Sequence, residues 1–147
     1  MAEAAIRRGT PEDAPACAAI LNDWIDATTW MPRVHPHEDV ERHYRDVVFP
    51  KQAVLVFGDP LQGFLALDED RCVTALFCKS PGSGVGTALL GQAKANSDTL
   101  WLWTFEANEG ARRFYDREGF VQTEFTTGLN EEELPDLRFE WRRAGHA

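Results

Sequence analysis

Cysteine is scarce in this chain: Cys17, Cys72 and Cys78 are the only three among 147 residues. They form neither a C-x-x-C pair nor an even disulfide set. With four scattered histidines they make no zinc spacing either, so buried reduced thiols and no metal are expected. Positive charge is also short. Fifteen lysines and arginines face 24 aspartates and glutamates, a formal net charge of −9. That balance argues against nucleic acid or an anionic membrane surface as a partner and is compatible with a cationic substrate. No apolar run approaches the ~20 residues that span a bilayer. The stretch Met1 to Arg8 lacks the apolar segment of a signal peptide. A cytoplasmic, soluble protein is therefore expected. Repeats, low-complexity tracts and linkers are missing as well. The 147 residues, 44% hydrophobic, read as a single domain, 1–147, with one core.

What is present centres on Cys72 to Leu90. Val73 to Cys78 is an apolar run rich in β-branched and aromatic residues, the pattern of a buried strand. It ends in a turn carrying Gly82, Gly84 and Gly86. Beyond it the spacing becomes helical, with Val85, Ala88, Leu89 and Ala93 on one stripe. Strand, glycine turn and helix aim backbone N–H groups and a positive helix end at an anion. The same glycines also serve plain tight turns, so a phosphate site and a structural turn both stay open. Two other phosphate loops are excluded. Gly86 is followed by Thr87 with no P-loop lysine, and G-x-G-x-G is not the dinucleotide fingerprint.

Around that centre the chain reads in order. Ile6 to Arg8 is a short strand, and Thr10-Pro11-Glu12-Asp13 announces a helix with its cap, first-turn proline and acid. Trp30 to Pro36 is a linker unusually rich in large side chains. Trp30 and Met31 in it either wall a pocket or plug the core. A second helix runs from about Pro36 to Phe49, where Pro50 stops it. Ala53 to Phe57 and Gln62 to Leu67 lead by short turns into Val73 to Cys78, an antiparallel meander. Thr99 to Phe105, apolar on both faces, reads as a central strand covered on both sides. Asn108 caps a helix from Glu109 to Glu118, and Gly119 ends it. Phe120 to Thr127 and Leu137 to Arg142 close the domain, with the acidic loop 128–136 between them. The order βααβββαβαββ makes an α/β domain with a mixed sheet.

Three stretches together carry a resemblance. They are Gly82-Ser83-Gly84-Val85-Gly86-Thr87-Ala88-Leu89-Leu90, then Asn108-Glu109-Gly110-Ala111, then Phe114-Tyr115-Asp116-Arg117-Glu118-Gly119-Phe120. In that combination and spacing the chain resembles the GCN5-related N-acetyltransferase (GNAT) superfamily over nearly its whole length. The resemblance implies the GNAT-like acyl-CoA N-acyltransferase fold and acetyl transfer from acetyl-CoA to an amine, without metal. It implies that the pantetheine arm lies between Val73–Cys78 and Leu100–Phe105. Backbone amides of Ser83, Gly84, Val85, Gly86 and Thr87 would hold the pyrophosphate. An N–H of Leu76 or Phe77 would polarise the thioester carbonyl, with Cys78 at the loop's edge. Tyr115 takes the position of the general acid that protonates the leaving thiolate; its other reading is packing. Asn108 caps its helix and is also a candidate contact to the pantetheine. One position departs from the pattern: Pro81 stands where the family has Gln or Arg, which removes a side chain and an N–H donor. Either affinity falls or the ring presets the loop. Lys79, Arg112 or Arg113 could then meet the phosphate charge.

On the acceptor side an attacking amine must be neutral, so a base or a water chain takes its proton. Candidates are His35, Glu106, Glu131 and Glu132. Histidine ordinarily titrates near neutrality, and Glu106 follows the end of a central strand, where ligands gather in such sheets. Trp30, Met31, Arg33 and Trp103 are candidate pocket residues, with Arg33 suited to pair with a carboxylate of an amino-acid-like acceptor. The reading is an N-acetyltransferase acting on a small-molecule amine or amino acid by direct attack in a ternary complex. A non-catalytic CoA-binding or sensing module is the alternative. Relatives of this kind often dimerise through a sheet edge, and nothing in the sequence decides for or against a homodimer.

Overall fold

The computed structural model describes residues 5–144, so part of the N-terminal stretch read above lies outside the described residues. Among the described residues seven strands and five α-helical segments, with one 3-10 turn and one π-helical stretch, follow the expected order. Strand β1 (Ile6–Arg8) leads through a 3-10 turn (Pro11–Asp13) into α1 (Ala14–Ala27). The Asp13 carboxylate accepts from the Thr10 N–H at 2.9 Å and takes both Nη atoms of Arg7, at 2.7 and 2.8 Å. One acid thereby fixes the helix start and ties it to β1.

Helix α2 (His37–His43) does not stop before Pro50. It widens into a π-helical stretch (Tyr44–Val48) and continues as α3 (Phe49–Lys51). The Phe49 N–H reaches back to the Tyr44 carbonyl rather than to Arg45. The extra residue in the turn accommodates a proline ring that would break a regular α-helical turn, and it corrects the expected end at Phe49.

Strands β2 (Ala53–Phe57), β3 (Gly63–Leu67) and β4 (Val73–Cys78) extend β1 into an antiparallel four-stranded sheet ordered β1-β2-β3-β4. A second antiparallel sheet, ordered β5-β7-β6, holds β5 (Thr99–Phe105), β6 (Val121–Thr126) and β7 (Asp136–Arg142). The two are joined where Cys72 and Trp101 form a parallel bridge and the Trp101 N–H meets the Arg71 carbonyl at 3.2 Å. The mixed sheet is thus split. Strand β5 is an edge of its own sheet rather than covered throughout: Leu100 and Leu102 are buried, but Trp103 is 39% exposed.

Helices α4 (Val85–Ala95) and α5 (Glu109–Arg117) supply the other wall. Leu89, Leu90 and Ala93 of α4 pack on Leu65, Val73 and Leu100, with Tyr115 and Phe120 completing that core. On the opposite side Cys17, Ile20, Tyr44 and Val48 cover Val54, Val56, Phe64 and Ala75. Among the described residues no helix is long and apolar enough to cross a membrane.

Candidate acyl-transfer site

Hydrogen-bond register opens the site. The Lys79 N–H donates to the Gln62 carbonyl at 2.8 Å, and pairing continues through Gly63↔Cys78, Phe64↔Phe77, Leu65↔Leu76 and Ala66↔Ala75. Antiparallel pairs alternate between exchanging hydrogen bonds and turning their peptide groups outward. Phe77 and Ala75 therefore spend their N–H and C=O groups on β3, whereas Leu76 and Cys78 turn theirs toward β5. The same count applies across the gap. Arg143 N–H donates to the Asp98 carbonyl at 2.8 Å and Glu106 N–H to the Pro135 carbonyl at 2.9 Å. With Leu100↔Trp141 and Leu102↔Phe139 in register, Leu100, Leu102 and Thr104 bond to β7, and Trp101, Trp103 and Phe105 face β4.

Beyond the Cys72–Trp101 bridge no ladder pair joins β4 to β5 among the described residues. Peptide groups of Leu76 and Cys78 on one side, and Trp103 and Phe105 on the other, are left facing a gap. Such a gap accepts an extended, amide-bearing chain as a strand edge accepts a peptide. Of the two N–H groups expected to polarise a carbonyl there, that of Leu76 is free and that of Phe77 is spent. A bulge at Thr74 sits just before, where its hydroxyl donates to Gln52 Oε1 at 2.5 Å.

At the open end of β4 lies the glycine turn. Gly82 (φ +77°) and Gly84 (φ +87°) occupy the left-handed region, and a Cβ at either would meet nothing within 4 Å. Glycine is needed here for backbone conformation, and the space in front of the turn stays clear. Val85, Gly86 and Thr87 form the first turn of α4, whose N–H groups have no partner inside the helix. These amides are free to bind an anion. The side chains contribute little: Val85 is buried in the core, and the Thr87 hydroxyl turns to Glu118 Oε2 at 3.3 Å. Neither Ser83 nor its neighbours line the large cavity described next.

A cavity of about 700 Å³ runs through the gap. Leu76, Phe77, Trp103, Asn108 and Tyr115 line it, as do Met31, His35, Glu131 and Glu132. Tyr115 is 8% exposed and packs against Phe114, Phe120 and Phe139. Its hydroxyl has no hydrogen bond within the described residues, and burial pushes the phenol well above its ordinary range. It is held as a neutral proton donor. Asn108 Oδ1 accepts the Ala111 N–H at 3.1 Å, a cap that leaves its amide NH₂ for the cavity. His35 Nε2 and Glu131 Oε2 meet at 2.7 Å, joining segments 96 residues apart at the cavity's rim.

Several expected site residues lie elsewhere. Arg33 does not line the cavity: its guanidinium pairs with Asp26 at 2.8 Å and donates to Asn22 Oδ1 at 3.0 Å and the His35 carbonyl at 2.9 Å. It splices the linker onto the end of α1. Asp26, also hydrogen-bonded to His37 at 2.7 Å, is held below the usual carboxylate range by His37 first and Arg33 second. Arg33→Ala is expected to cost about 1–3 kcal/mol in urea unfolding, because it orphans several partly buried acceptors. Trp30 packs edge-on to Trp24 and Phe105 behind the cavity wall rather than in it. Glu106 is exposed and outside the lining, and Arg112 donates to the Glu106 carbonyl at 3.1 Å on the far flank of α5. Cys78 sits half-buried with its thiol pushed up by burial, so no thiolate is ready to carry an acetyl group. Trp24, Asp39 and His43 line the cavity without having been singled out in the sequence. Their helical spacing was visible, but which face of α1 and α2 met the gap was not.

No protein-family model matches the sequence. The chain is similar to the peptidyl-lysine N-acetyltransferase YiaC of Escherichia coli, at 27% identity over 135 residues, 84% of this chain and 88% of YiaC. A GCN5-related N-acetyltransferase from Rhodopseudomonas palustris superposes with a TM-score of 0.73 at 22% identity, covering 95% of both chains. YncA of Salmonella typhimurium, solved with its cofactor acetyl-CoA, gives 0.71 at 18% identity over 97% of this chain and 95% of that one. At these identities the two solved structures speak for the fold.

Proposed function

We propose that the chain is an acyltransferase of the GCN5-related N-acetyltransferase superfamily and moves the acetyl group of acetyl-CoA directly onto a primary amine of a small molecule, a reading supported by its similarity to YiaC and by the shared fold. The observation that carries this reading is the β4/β5 gap. Its unpaired peptide groups lead from the free amides of the glycine turn to the lone hydroxyl of Tyr115. An acetylated pantetheine arm fits these residues: the gap supplies amide partners, and the turn supplies N–H donors for the pyrophosphate. Pro81 gives no N–H to that cradle, which then rests on Ser83 to Thr87.

In this arrangement the Leu76 N–H faces the thioester carbonyl oxygen and stabilises the oxyanion as the amine nitrogen attacks. The carbon–sulfur bond then breaks, the Tyr115 hydroxyl gives its proton to the leaving sulfur, and the proton shed by the newly acylated nitrogen restores the phenol. His35, with Glu131 orienting its ring, takes the proton that the entering ammonium must lose and passes it to bulk water at the rim. Arg33 is occupied at Asp26 and is not offered to the carboxylate of an amino-acid acceptor. A peptide lysine is the second reading, favoured by the similarity to YiaC and by the exposed rim. We place the protein in the cytoplasm.

The test is thiol release from acetyl-CoA across a panel of amines, polyamines, aminoglycosides and lysine peptides, with calorimetric CoA binding alongside. Binding together with a selective hit is expected. Binding with no turnover on any amine would favour a sensing module, and no CoA binding would mean that Pro81 has disabled the turn.

A further inference from the structure

We infer that the acceptor half of the cavity selects an amine that carries a second positive charge, held by the Glu132 carboxylate. This deepens the acetyltransferase reading and rests on it. The cavity is marked as a ligand site by Tyr115, a residue more than nine-tenths buried that lines it and whose hydroxyl has no hydrogen bond among the described residues. Its titratable lining is one-sided. Asp39, Glu131 and Glu132 face it with His35 and His43, and among the described residues no lysine or arginine lines it.

These carboxylates are not equivalent. Asp39 is paired with Arg42 at 2.7 Å and Glu131 with His35 at 2.7 Å. Glu132 is only partly exposed and has no hydrogen bond or ion pair among the described residues. A partly desolvated carboxylate without a partner is completed by a cation from the ligand. The same lining is partly apolar: Leu21, Trp24, Met31 and Phe77 suit a methylene chain, and Trp24 and Phe77, with ring centres 5.3 Å apart and planes tilted by 56°, offer π-faces for an ammonium. An acceptor of this shape has one amine entering the gap, a methylene spacer along the wall, and a second ammonium at Glu132. A ligand with a carboxylate at the second end meets three like charges and no arginine.

The probes are 1,5-diaminopentane, pentylamine and 5-aminopentanoate, titrated by calorimetry into the full chain with CoA bound. The diamine is expected to bind about tenfold tighter than pentylamine, with 5-aminopentanoate weakest. Glu132→Gln is expected to bring the diamine-to-monoamine ratio close to one, and 0.5 M salt to shrink it in the wild type. Equal affinity of diamine and monoamine, tight binding of 5-aminopentanoate, or a ratio that survives Glu132→Gln would each overturn the inference. Thiol release with the same three amines separates the two claims. Diamine binding without release from acetyl-CoA would remove the transferase reading and leave the charge selection standing.

Discussion

Tyr115→Phe is expected to lower kcat by about 100-fold or more while leaving CoA affinity in place. The ring is buried among Phe114, Phe120 and Phe139, and phenylalanine keeps every one of those contacts. Only the hydroxyl is lost. It has no partner among the described residues, so urea unfolding should shift by less than about 0.5 kcal/mol. A loss of turnover without a loss of stability separates proton donation from packing. The pH profile adds a signature. Burial raises the phenol above its ordinary pKa of about 10, so it remains protonated throughout the neutral and mildly alkaline range. Any basic limb in kcat below pH 10 must then come from another group, and Tyr115→Phe should lower the whole profile without moving that limb. Unchanged kcat in the variant would remove Tyr115 from the mechanism.

Gly84→Val should weaken CoA binding by at least about tenfold in calorimetry. A β-branched residue at φ +87° is sterically opposed, and relief requires the turn to rearrange its amides. The side chain would also enter the open space in front of Val85, Gly86 and Thr87, where no atom beyond the flanking residues lies within 4 Å of the new Cβ. Both effects fall on the anion cradle rather than on the core. Gly91→Ala is the control. It lies mid-helix in α4 with equally open surroundings, and alanine there should raise stability by about 0.5–1 kcal/mol without touching CoA affinity. If Gly84→Val binds CoA as the wild type does, the glycine turn is only a turn.

What could be read without coordinates was local. Strands 53–57, 73–78 and 99–105 match their apolar runs residue for residue, because strand periodicity and flanking turn chemistry are written in neighbouring residues. The same holds for Gly119, whose φ of +89° ends α5 as a glycine after a helix does. Pro50 is the local signal that misled, since a widened turn upstream absorbed it.

The fold, and with it the placing of the glycine turn and of Tyr115 on α5, was therefore determined by sequence. Each depends on backbone preferences within a few residues. Tertiary structure alone decided the acceptor side. That Arg33 closes on Asp26, that His35 meets Glu131 across 96 residues, and that Glu132 is left unpaired are outcomes of long-range packing. Whether Leu76 or Phe77 offers its N–H depends on strand register, which shifts every peptide group to the opposite edge with each residue of slip. No local pattern encodes which distant segment will supply the partner, so the frame of the site was legible in the chain and its acceptor side was not.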